Sequence, residues 1–436
     1  MIGQESLETG GLARGRRRYQ VYRRGHTPRM VTMWLASLLV LVSACAGGGS
    51  RGTSANEFQV VVSAPMSTEP WIGAFIERGA RLAVDELNAH GGVTTPSGAR
   101  KVRLTVLDNA GSPAKAAANA RKAVDDHAAV LLTDGTGAAS VAPITDPAHL
   151  PVFICFEGGD ELIDPVHRPS LFRMAPANKP MARRLADYIA NSHPKVGLIS
   201  DDSTYGEQGR AALLAAFKID EVKVVADQKA PARSSDLTTQ VLAARQAGAD
   251  RLVVWASASD VIAVIQAVHA LGWEVPVYTG PTGEDPLVRR RLAEHPDWLD
   301  QVTFASFRMT SEVGPAPFEQ FRAGYEAKMG VDLVGVRQDG KQVVQPPDWA
   351  MFSYDSVRLV AASLSEAGAP GEPLMDALNK ISVTGANGDY RGYAADQHEG
   401  VNPSDMYFAR FHGFVFEPVG DDPLSDTLPS VNQLQD

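Results

Sequence analysis

Cysteine is nearly missing from this chain: two in 436 residues, Cys45 and Cys155. That argues against a disulfide framework, and no C-x-x-C spacing offers a zinc or redox site. The H-E-x-x-H of zinc peptidases and the phosphate-cradling G-x-x-x-x-G-K-[ST] are absent as well. Long apolar runs are scarce. The longest, Met30 to Val42, falls short of the ~20 residues that span a bilayer. Basic residues are outnumbered, 41 Lys and Arg against 51 Asp and Glu, for a formal charge of −10. Such a chain is a poor partner for nucleic acid. No catalytic role, metal or cofactor is expected.

What is present begins at the N-terminus. Residues 1–29 carry seven arginines against two acids, and the apolar run follows. A basic region, a short apolar region and then small residues read as a secretory signal. The end of the run, Val42-Ser43-Ala44-Cys45, resembles the lipobox of bacterial lipoproteins. The resemblance implies that Cys45 becomes the first mature residue, carries a diacylglyceryl group and anchors the protein to the membrane. The alternative is an ordinary signal peptide with a chance cysteine. Ala46 to Asn56 is rich in Gly and Ser, a composition that suits a flexible tether. The expected order is a signal peptide over 1–44, an anchor and tether over 45–56, and an extracytoplasmic body. A later start codon, or twin-arginine export through Arg16-Arg17-Arg18, stays open.

The body alternates short β-branched runs with helical patterns. "FQVVVS" (58–63) predicts a strand, and Ile72, Phe75, Ile76, Gly79, Ala83 and Leu87 then share one helical face up to Gly91-Gly92. "VRLTVLD" (102–108) predicts another strand, and Ser112-Pro113 opens the next helix. The alternation continues through "AVLLTD" and "VFICF". It restarts after "FRMAPAN" (172–178), with "KVGLIS", "VKVVA", "RLVVWA", "VPVYTG" and "VTFASF". Strands alternating with helices predict parallel sheets covered on both faces, here in two lobes. Residues 315–380 read as mostly helical around a polar loop, "RQDGKQVVQPPD". Residues 388–418 read as short strands, and those after Gly420 as a flexible end. Neither late piece makes a domain alone. The expected lobes are therefore 57–177 plus about 312–385, and 178–311 plus about 386–420, with a tail over 421–436.

These residues resemble a family. "GARLAVDELNAHGGV" followed by "VRLTVLDNAGSPAKAAANARKAV", then "LFRMAPAN", "DDSTYGEQG", "YDSVRLVAASL" and "GANGDYRGYAADQHEG", look like the ordered segments of the periplasmic solute-binding proteins of branched-chain amino-acid and amide ABC transporters. The resemblance implies an α/β fold of two Rossmann-like lobes with parallel sheets joined by a multi-crossover hinge (periplasmic binding protein-like I). It implies a small-molecule ligand in the interlobe cleft and an ABC permease as partner. Open α/β sheets bind ligands beyond the carboxyl ends of their strands, and a hinge lets two lobes close.

Site candidates follow by position. The turn "DGTGAAS" (134–140) offers Thr136, Gly137 and Ala138 to a ligand carboxylate, or is a plain Gly-rich turn. "FEGGDE" places Phe156, Glu157 and Gly158 at the cleft, although amino-acid binders tend to carry threonine where Gly158 stands. From the second lobe, Tyr205 matches a position that meets ligand on closure, or packs internally. Ser257 stands where some relatives use an aromatic. Thr282 and Glu284 lie where relatives carry an acid for the ligand's ammonium. Trp71 either caps the cleft or simply begins a helix. Charge on both sides suits an amino acid or a similar amine-bearing solute, with an amide as the other branch.

Two other function classes are weighed. Gly135-x-Gly137-x-x-Ser140, with Glu157 some way beyond, mimics a dinucleotide fingerprint. An NAD-dependent enzyme is disfavoured because the glycines follow the third strand, not the first. An extracellular sensor of the same fold is the second alternative, since fold does not fix function. His398 is read as structural.

Overall fold

The computed structural model describes residues 57–190, 193–307, 316–329, 335–338, 341–344, 349–386, 388, 390–401, 406–412 and 415–419. The expected signal peptide, Cys45 with its tether, and the expected tail lie outside the described residues.

The first sheet is built early in the chain. Its elements are β1 (Glu57–Ala64), α1 (Pro70–Ala89), β2 (Val93–Thr95), β3 (Gly98–Asp108), α2 (Pro113–Asp125), β4 (Val130–Thr133), α3 (Ala138–Thr145), β5 (Val152–Ile154) and β6 (Leu171–Arg173). The strand order is β2-β3-β1-β4-β5-β6. β1 lies at the centre, parallel to both β3 and β4, and is buried from Phe58 to Ala64. A run of valines suits a strand covered on both faces. Ser112 caps α2, with Pro113 in the first turn, as its sequence predicts.

The second sheet follows: α4 (Asn178–Ile189), β7 (Lys195–Asp201), α5 (Thr204–Ile219), β8 (Lys223–Ala230), α6 (Thr238–Gln246), β9 (Arg251–Trp255), α7 (Ala258–Ala270), β10 (Val277–Thr279), α8 (Pro286–Arg291) and β11 (Val302–Phe307). Then come α9 (Ala316–Met329), β12 (Gly335–Gln338), β13 (Lys341–Val344), α10 (Ala350–Ala367), α11 (Glu372–Leu378), β14 (Ser382–Thr384), β15 (Tyr390–Gly392), β16 (Met406–His412) and β17 (Val415–Pro418). The second sheet runs β17-β16-β11-β10-β9-β7-β8, so two late strands complete a sheet begun some 200 residues earlier. The chain passes between the lobes after β6, between β11 and α9, and before β16.

The sheets are parallel as expected, except at one edge of each, where β2 pairs with β3, and β16 with β11 and β17, antiparallel. One expectation changes. The polar loop carries a strand: β12 and β13 pair antiparallel.

α10 returns to the first lobe and lies against α1. The crossing is close, since a Cβ on Gly79 would stand 1.8 Å from the Ala350 carbonyl oxygen. This packing sets Trp349, just ahead of α10, beside the start of α1. Tyr393 and His398 pack on Phe172 of the first sheet. Arg173, fully buried, reaches the same loop: its Nε donates to Glu399 Oε2 at 2.8 Å and its Nη1 to the Gly159 carbonyl at 2.6 Å. A buried guanidinium needs this saturation, and it ties 157–159 to 398–400.

Candidate ligand-binding cleft

The carboxyl end of β5 faces the start of α5 across the lobes. An aromatic cluster fills the junction. Phe156 is its hub, with ring centroids 6.4 Å from Trp71, 6.2 Å from Phe75 and 5.6 Å from Trp349 in the first lobe. Across the cleft it stacks on Tyr205 at 5.9 Å, and Tyr205 lies 5.8 Å from Trp255. Aromatic pairs contribute ~0.5–1.5 kcal/mol each beyond burial, so this seam favours closure.

Polar contacts also cross between the lobes. Trp349 Nε1 donates to Glu284 Oε1 at 2.5 Å. Glu69, ahead of α1, pairs with Arg233, and Gln208 on α5 donates to Glu161.

Several polar atoms in the seam are sealed from solvent and have no hydrogen-bond partner among the described residues. They are Trp71 Nε1, Glu157 Oε2, Tyr205 OH and both side-chain atoms of Asn178. The Tyr205 hydroxyl sits beside that of Thr282, which itself donates to the Ala256 carbonyl at 2.8 Å.

The acids differ in state. Burial pushes the Glu157 carboxyl up to about 8, helped by the negative charges of Asp134 and Glu161 and opposed by Arg173. Asp134 is also raised by burial, against hydrogen bonds from Thr136 and Asn109, the latter at 2.7 Å. Burial raises Tyr205 too. Glu284 is held by the Trp349 indole, and Arg289 lies in its field.

The sequence candidates therefore separate. Trp71, Phe156, Glu157 and Tyr205 meet in one seam. Thr136 donates to Asp134. Gly137 precedes α3 at φ 69° with no side-chain cap, and the Ala138 amide donates to the Gly135 carbonyl at 3.1 Å. Gly158 abuts Asn178: a Cβ there would stand 2.4 Å from Asn178 Oδ1. A threonine at this position would collide with Asn178, so the asparagine side chain takes that space. Ser257 is occupied as the cap of α7. Its Oγ donates to Asp260 Oδ2 at 2.7 Å, and its amide donates to Asp201 at 2.9 Å.

Sequence reasoning missed Asn178, Trp349, Phe75 and Trp255. Asn178 was legible only as a helix start, and Trp349 as the first residue of an apolar helical pattern. The dinucleotide-like glycines serve another purpose. A Cβ on Gly135 would lie 2.3 Å from Glu157 Cβ, so this glycine admits the glutamate side chain. Among the described residues no group of three His, Cys, Asp or Glu is placed to hold a metal, and no helix is long and apolar enough to cross a membrane.

Comparison with known proteins agrees with this architecture. An amino acid binding protein of Pseudomonas aeruginosa is 24% identical over 301 residues, covering 67% of this chain and 74% of that one. The Leu/Ile/Val-binding protein homolog 7 of Brucella suis is 25% identical over 269 residues, covering 58% of this chain and 66% of that one, just under two thirds of its length. Among solved structures, a type 1 periplasmic binding protein from Bordetella pertussis superposes with a TM-score of 0.73 at 18% identity, covering 83% of this chain and all of that one. The family profile described as periplasmic binding protein matches residues 61–413. With most of its length matched and both lobes in place, the chain belongs to the periplasmic binding protein family.

Proposed function

We propose that the protein is the extracytoplasmic receptor of an ABC importer and holds a small polar solute, an amino acid or an amide, between its lobes. The observation that carries this reading is the seam itself. Phe156 and Tyr205 meet from opposite lobes, and buried polar atoms beside them lack partners. Each such group costs ~1–3 kcal/mol when left unpaired, so a solute with matching groups offsets a penalty the closed lobes otherwise carry. The similarity to the amino acid binding protein of Pseudomonas aeruginosa supports the amino-acid branch.

The proposed contacts are Trp71, Thr136, Gly137, Ala138, Phe156, Glu157, Gly158 and Tyr205, with Asn178 added. Asn178 offers a donor and an acceptor to a carboxylate or an amide. Glu284 already accepts from Trp349, so Glu157, ionised once a cation lies beside it, is the better partner for a ligand ammonium. Ser257 and Thr282 act behind this shell through their own hydrogen bonds. Native mass spectrometry of protein purified without denaturation should reveal the carried solute. Calorimetry with Glu157→Gln and Glu284→Gln then separates the branches. An amine-bearing solute should lose affinity with Glu157→Gln, whereas an uncharged amide should bind both variants. No carried mass, together with no binding across amino acids and amides, would overturn the proposal.

We further propose that Cys45 is lipidated and tethers the body to the membrane. Two or more acyl chains anchor stably, at ~0.8 kcal/mol per buried CH₂. Cys45→Ala should release the protein or leave an unprocessed precursor; unchanged membrane retention at the mature size would refute the anchor.

A further inference from the structure

The first lobe has a second recess, at the opposite end of its parallel strands from the cleft. The cleft residues follow β4 and β5. This recess is lined by Asp146 at the end of α3, Ser170 ahead of β6, the α11 face and His398, and it encloses about 250 Å³. A water takes ~30 Å³, so the space suits a small organic group.

His398 is the unusual member. It is 2% exposed. Its ring stacks on Phe172 at 3.9 Å and 20°, which holds its orientation. Nδ1 lies 2.9 Å from the Leu171 carbonyl. A carbonyl only accepts, so Nδ1 carries the proton and Nε2 presents a lone pair. Nε2 is buried and has no partner among the described residues. Burial holds this imidazole below its usual range, in keeping with the neutral form.

One other group facing the recess shares that character. Asn379 Oδ1 is likewise buried without a partner. Glu372, Asp376 and Asn379 fall at i, i+4 and i+7, one helical face. Asp146 accepts from Ser170 N at 3.0 Å and Oγ at 2.5 Å, which fixes its carboxylate. His149 completes the rim, and no Lys or Arg lines it.

We infer that this recess binds a small cation rich in N–H donors, a guanidinium or a primary ammonium, between His398 Nε2, Asn379 Oδ1 and the carboxylates of Asp146, Glu372 and Asp376. Acceptors converge there from three chain segments, and two of them, His398 Nε2 and Asn379 Oδ1, are buried with no donor to meet them among the described residues. Charge-assisted hydrogen bonds to carboxylates are the strong kind, and a planar guanidinium engages several at once.

The test uses the full chain with ¹⁵N-labelled histidine, titrated with methylguanidinium chloride. The His398 Nε2 resonance should move saturably toward the hydrogen-bonded position. Tetramethylammonium chloride, which has no N–H, should leave it in place. Asp376 is exposed, so Asp376→Asn should fold normally and weaken the titration roughly threefold, as losing one exposed ion pair does. A resonance unmoved at about 10 mM methylguanidinium, a concentration that would saturate a ~1 mM site, would overturn the inference. So would equal movement with both salts.

Discussion

Replacing Glu157 by glutamine should make the protein more stable, and only at higher pH. The carboxyl is half-buried with Oε2 sealed. It keeps its proton up to about 8 in the folded chain, against 4.5 ordinarily. Between those values the folded state binds more protons than the unfolded one, so stability falls as pH rises. Each pH unit across the window costs about 1.4 kcal/mol, and the whole window about 4–5 kcal/mol. Glutamine matches the protonated acid in shape and never ionises. Wild type and variant should therefore agree near pH 5 and diverge steadily, the variant being more stable by roughly 4 kcal/mol near pH 8. Urea midpoints at several pH values, with unchanged slopes, measure this difference. Asp355, raised by burial to about 6, lowers both proteins alike. Parallel pH profiles for the two proteins would refute the reasoning.

Other outcomes follow from the same geometry. Tyr205→Ala should keep the fold and weaken solute binding by calorimetry by at least ~0.5–1.5 kcal/mol, the worth of one hydrogen bond; normal binding would make the tyrosine internal packing. Glu399→Gln leaves the buried Arg173 uncompensated and should cost about 3 kcal/mol of stability by urea denaturation, the low end for such pairs because the Glu399 side chain is 35% exposed. Gly137→Ala should destabilise by at least ~1 kcal/mol, because φ is 69° and the new Cβ would stand 2.7 Å from Pro113 Cα; an unchanged melting temperature would contradict this.

Much of the scaffold was legible because it rests on local chemistry. The valine run of β1, the Ser112-Pro113 start of α2 and the alternation that builds two α/β lobes need no distant partner. The β12–β13 pair was read as a loop because a pair of prolines follows it closely in the sequence. Ser257 also carries a local signal. Ser257-Ala-Ser-Asp260 is a helix-capping pattern, and the hydroxyl is engaged there. The bond from Trp349 to Glu284 joins residues far apart in sequence. Such pairings depend on where α10 returns against α1, which no local pattern encodes. The same holds for Asn178, whose role appears only once Gly158 lies against it.

The central claim is that solute binds in the interlobe seam. A crystal structure of the protein carrying the solute identified by native mass spectrometry tests it most directly. Solute should lie beside the Phe156–Tyr205 pair, within hydrogen-bond distance of Glu157 Oε2, Asn178 and Tyr205 OH, with the two lobes closed on it. Solute bound elsewhere, with these side chains still unpartnered, would contradict it.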